Sequence, residues 1–163
     1  MALPKRILAN LHNALNGTPA VMGAMVASLP ADSGFWDYRP APERFTPREV
    51  FAHVADWDLI FAERIARTVS EDHPTIIPFD EEQMAIDHGY ATQDAPAALQ
   101  RFCESRADFV ARIRCFTETD WSKTAHREDM GEVSVEAQVV LVTVHDGYHT
   151  KQIAEFLESW RQI

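Results

Sequence analysis

Between Ser134 and the C-terminus, Gln138, Val142, His145, His149, Gln152, Phe156 and Trp160 recur at intervals of four or three. At about 100° of rotation and 1.5 Å of rise per residue, that spacing gathers them on one stripe of an α-helix. No strand register would bury them together, because a strand sends alternate side chains to opposite faces. A helix with so long an inward stripe owes its stability to other amphipathic helices packed against it. Ser134 marks its start as N-cap, and Glu136 places a carboxylate near the positive end of the helix dipole.

The rest of the chain supplies such partners. Leu8, Leu11, Leu15, Met22, Met25 and Leu29 form one stripe over about residues 4–29. Asn16-Gly17-Thr18-Pro19 interrupts it without changing its phase, which predicts one kinked helix. A connection punctuated by Pro30, Gly34, Pro40 and Pro42 follows; its Phe35, Trp36, Tyr38 and Phe45 are too apolar for a free loop. Thr46-Pro47-Arg48-Glu49 then reads as a capping box with proline at the first helical position. Val50, His53, Trp57, Phe61 and Ile65 give the inward stripe of a second helix over 47–70. Residues 81–87 form a short helix stopped at His88-Gly89. A third long helix starts at Asp94 as N-cap and runs to about 117, with Leu99, Phe102, Phe109, Ile113 and Phe116 inward. After Trp121 a polar connection turns at Gly131, and no long run alternates with period two. The pattern predicts an all-α, up-down-type four-helix bundle, with one extra short helix between helices two and three, as a single domain over 1–163.

Composition excludes several functions. With 163 residues, 46% of them hydrophobic, the chain can bury a sizeable core. Its net charge of −10 opposes nucleic acid and anionic membrane surfaces as partners. No run approaches the roughly 18 apolar residues of a membrane span, and the N-terminus lacks a signal-peptide core, so a cytoplasmic location is expected. Cys103 and Cys115 lie roughly 18 Å apart along one predicted helix, too far for a disulfide; they read as small buried residues. There is no Gly-rich phosphate loop, G-x-S-x-G, C-x-x-C or H-E-x-x-H.

The histidines carry the chemistry. His145 and His149 leave one helix face a turn apart, and His53 lies on the inward stripe of another helix. Three imidazoles with one open position form the donor set of a catalytic rather than a structural zinc-type site. Against this stands a plain reading. Seven histidines make an accidental spacing of four common, and an inward histidine is often just a hydrogen-bonded core residue. Asp58 is a candidate to orient a ligand histidine. Asp146, turned about 100° from His145, reads as a surface carboxylate. Tyr148 and Gln152 face the cavity or serve packing, and His12 looks inward near its helix start. His73, His88 and His126 fall in connections and read as solvated.

Two motifs resemble a known family. Residues 38–53, from Tyr38-Arg39-Pro40 through Thr46-Pro47 to Ala52-His53, are similar to the lead into helix two of the DinB-like (YfiT-like) superfamily. His145-Asp146-Gly147-Tyr148-His149-Thr150-Lys151-Gln152-Ile153 resembles its H-x-x-x-H-x-x-Q-I signature, and Gly131 also fits. The resemblance implies a four-helix bundle, often a homodimer, with a divalent metal, zinc or nickel, on His53, His145 and His149. It implies a metal-dependent enzyme of small-molecule chemistry activating water or a thiol, a hydrolase or a transferase with a low-molecular-weight thiol as co-substrate. A non-catalytic metal- or ligand-binding stress protein is the alternative.

Overall fold

A computed structural model describes residues 4–162. Four long helices form the bundle: α1 (Lys5–Val26), α2 (Pro47–Ser70), α4 (Ala95–Ile113) and α6 (Val135–Trp160). Between them lie the short helices α3 (Glu81–Asp87) and α5 (Glu118–Ser122) and the strands β1 (Thr75–Ile76), β2 (Thr124–Arg127) and β3 (Gly131–Ser134). Helix α1 runs unbroken through the Asn16–Pro19 interruption.

The predicted starts are built as their chemistry requires. Glu49 N–H donates to Thr46 Oγ1 at 3.2 Å, and Thr46 N–H donates to Glu49 Oε2 at 2.6 Å, closing the capping box of α2. Asp94 and Ser134 accept from the N–H groups of Ala97 and Ala137 at the starts of α4 and α6. Gly89, with φ +61°, ends the turn after α3 in the left-handed conformation that glycine adopts without strain.

Helices α2 and α4 each pack against each other and against one of the remaining pair, α6 and α1, while α1 also packs on α6 and α2 on α6. Consecutive α1 and α2 therefore stand diagonally. Two core clusters fix the directions. One joins Leu15, Phe61, Ile65, Phe109, Ile113 and Val142; the other joins Met22, Val50, Val54, Ala98, Phe102 and Phe156. Along α2 and α4 the chain passes from the second cluster to the first, and along α1 and α6 from the first to the second. The parallel course of α2 and α4 obliges residues 71–94 to return along the bundle, about 36 Å for a helix of 24 residues. That returning segment contains β1 and α3.

The sheet was not expected. Strand β1 pairs parallel with β2, and β2–β3 is an antiparallel hairpin pairing Ala125 with Val133. Strands of two to four residues are too short to display a period of two. Both cysteines are exposed, not buried. Cys103 follows Phe102 and points off the stripe, and Cys115 lies beyond the end of α4, which stops short of residue 117.

Candidate metal centre

His53 lies in the second turn of α2, placed by the capping box and buried between Val50 and Trp57. His145 and His149 lie on the facing stripe of α6. One ligand atom from each of the three comes within 4.8 Å of the others. The Nε2 atoms of His53 and His145 are 3.1 Å apart. Two nitrogens on one tetrahedral ion at about 2.0–2.1 Å each would be roughly 3.4 Å apart. The donor set and its spacing therefore fit a divalent ion. His12, half-buried beside Trp121 at a ring distance of 6.1 Å, belongs to another part of the core. His73, His88 and His126 are exposed, as expected, and each meets a carboxylate.

The electrostatics keep these imidazoles neutral. Burial, reinforced by the neighbouring His149, lowers the pKa of His53 to about 3. Burial, then His149, His53 and Arg106, lowers that of His145 to about 2. His149 is lowered by burial too, against the opposing pull of its bond to Gln152 and of Asp146. A neutral imidazole offers a lone pair, which a metal ligand must have. Nδ1 of His149 lies 2.9 Å from Oε1 of Gln152; the amide oxygen accepts the Nδ1 proton, which leaves Nε2 as the donor atom. Nδ1 of His53 is buried without a partner. Around the cluster stand aromatic rings: Phe45 at 5.5 Å and Trp57 at 5.8 Å from His53, and Phe61 at 5.4 Å from His145.

The two aspartates correct the sequence reading. Asp146 is 2% exposed, and Asp58 1%. Neither hydrogen-bonds a histidine; both hold Arg106, itself 2% exposed. Arg106 Nε donates to Asp58 Oδ1 at 2.7 Å and Nη2 to Asp146 Oδ1 at 2.9 Å, while Nη1 serves Asp146 Oδ2 and the carbonyl of Leu15, the latter at 3.0 Å. The Leu15 carbonyl is the one that Pro19, lacking an N–H, leaves without its helical donor. Asp146 is inward because α6 has helices on more than one side, so a turn of about 100° from His145 leads to the bundle interior. Arg106 is absent from the sequence expectations, although it occupies a stripe position four after Phe102 and three before Phe109. A charge interrupting an apolar stripe was the available signal.

Above the histidines opens a pocket of about 340 Å³. Glu43, Arg44 and Phe45 line it from the loop before α2, Glu81 and Glu82 from α3, and Tyr148, His149 and Gln152 from α6. The walls from residues 43–45 and from α3 were not foreseen, since nothing in their local pattern points to a distant helix. No described helix is long and apolar enough to cross a membrane.

Known proteins resemble this chain in sequence and in fold. The chain is 27% identical over 142 residues to a Geobacillus kaustophilus (strain HTA426) protein named as a candidate metal-dependent hydrolase; the match covers 86% of this chain and 79% of that protein. Its fold superposes on YfiT from Bacillus subtilis with a TM-score of 0.88 at 21% identity, covering 98% of this chain and 90% of that one. YfiT is described as a candidate metal-dependent hydrolase with an unusual four-helix bundle topology. A family model of the DinB superfamily matches residues 14–153, and with nearly the whole bundle inside that match the chain belongs to the DinB superfamily.

Proposed function

We propose that this protein is a metal-dependent enzyme of small-molecule chemistry, with His53, His145 and His149 as the ligands of one divalent ion. The observation that carries this is the convergence of three neutral imidazoles, one each within 4.8 Å of the others, on the floor of a pocket. When bound, such an ion supplies a Lewis acid that draws the pKa of a coordinated water or thiol towards neutrality. Imidazole donors suit zinc or nickel. Gln152 orients His149, the aromatic rings exclude water from one side, and the pocket admits a small substrate from the other. Water as the activated group gives a hydrolase, the class named for its relatives; a low-molecular-weight thiol gives a transferase. The net charge of −10 supports a small molecule over nucleic acid. The exposed stripe of Val140, Val144 and Tyr148 on α6 supports a homodimer, which light scattering would measure.

Metal analysis of protein purified without a histidine tag tests the site. The expected result is about one equivalent of divalent metal in the wild type and none in the His53→Ala/His145→Ala/His149→Ala variant. Equal metal in both would remove the site. A non-catalytic metal-binding role is the alternative: the two buried aspartates, Asp58 and Asp146, are both committed to Arg106, which leaves any carboxylate base to the exposed glutamates of the pocket. Absence of turnover across a panel of thiols and hydrolysable esters and amides, in fully loaded protein, would decide for that role.

A further inference from the structure

We infer that the pocket above the three histidines selects a small molecule carrying a positive charge, such as a primary ammonium group, and disfavours anionic ones. This deepens the function proposed above and rests on it. Glu43, Glu81 and Glu82 reach the pocket from two separate segments. Among the described residues, none of the three makes a hydrogen bond or a direct ion pair; Arg64 acts on Glu81 only through space. The single arginine in the lining leaves the three carboxylates in excess. Arg44 donates to Glu155 at 3.3 Å, and its guanidinium lies over the Phe156 ring at 5.3 Å. Partial shielding from solvent raises the Glu81 carboxyl above its ordinary pKa, and a cation beside it would favour the charged form. Phe45 and Tyr148 add aromatic walls of the kind that attract cations. The second, independent pointer to a ligand lies on the pocket floor. His53 is 2% exposed and lines the pocket, with its Nε2 3.1 Å from that of His145 and one ligand atom of each of the three imidazoles within 4.8 Å of the others. A pocket with a convergent donor set at its base and unpartnered carboxylates at its mouth holds a molecule by two ends. The reactive end meets the histidines, and the charged end meets the glutamates.

The test uses the cobalt(II)-loaded protein and three thiols with the same two-carbon spacer: cysteamine, 2-mercaptoethanol and 3-mercaptopropionate. Affinities are read from the thiolate-to-cobalt absorption band. Because the thiols differ intrinsically, the quantity compared is the cysteamine to 3-mercaptopropionate affinity ratio. In the Glu43→Gln/Glu81→Gln/Glu82→Gln variant, whose changes fall on exposed side chains, this ratio should drop by about tenfold, and added salt should lower it in the wild type. A ratio equal in wild type and variant, with cobalt bound in both, overturns the charge selectivity and leaves the metal reading standing. Failure of the wild type to bind cobalt at all, seen as absent d–d absorption, overturns both.

Discussion

Gln152 shows how a single side chain sets the chemistry of the centre. Its Oε1 lies 2.9 Å from His149 Nδ1, so the Nδ1 proton is held and Nε2 is left to donate. Such partners of a ligand histidine change metal affinity by roughly 10- to 100-fold when removed. Gln152→Leu should therefore weaken zinc binding by that order in a competition with a chromophoric chelator, while Gln152→Glu, which keeps the acceptor, should retain it. Equal affinity in Gln152→Leu and wild type would mean that packing alone orients His149. The His145 and His149 spacing and the inward place of His53 were legible because each depends only on position within one helix. The roles of Asp58 and Asp146 were not. Each depends on Arg106, 48 and 40 residues away in sequence, and no local period records such a partner.

At the scale of elements, the N-terminus of α2 ties the fold to the site. The capping box sets where α2 begins, and the phase of that start decides that His53 faces α6. Thr46 is buried, with both bonds of the box made. Thr46→Ala removes the side-chain acceptor for Glu49 N–H and should cost about 1 kcal/mol, seen as a melting temperature lower by about 2–4 °C. An unchanged melting temperature would show that tertiary packing alone fixes the start of α2. The starts of α2, α4 and α6 were readable, since capping is chemistry between residues three apart, whereas that of α5, capped by Thr117, was not. The returning segment between α2 and α4 was not: its α3 was visible as a short helix, but its course over the histidine pocket follows from the parallel directions of α2 and α4.

For the whole molecule, the Arg106 cluster stands where the two apolar clusters meet and joins all four long helices through Leu15, Asp58, Arg106 and Asp146. A buried ion cluster adds little over a well-packed apolar substitute, yet removing one member strands the others without compensation. Arg106→Met should destabilise the protein by about 3–5 kcal/mol in urea unfolding followed by tryptophan fluorescence. Adding Asp58→Asn and Asp146→Asn to that variant should recover about half of the loss, because the stranded charges are then gone. No recovery would mean that the shape of the cluster, not its charge, holds the bundle. The sequence by itself determined the four helices, their starts and the inward stripes bearing His53, His145 and His149, because periodicity and capping act over one or two turns. Only the tertiary structure decided that α1 and α2 stand diagonally, that Asp146 turns inward to Arg106, and that Glu43, Glu81 and Glu82 line one pocket with the histidines. Those outcomes depend on which helix faces which, and a period within one helix is the same for every such pairing.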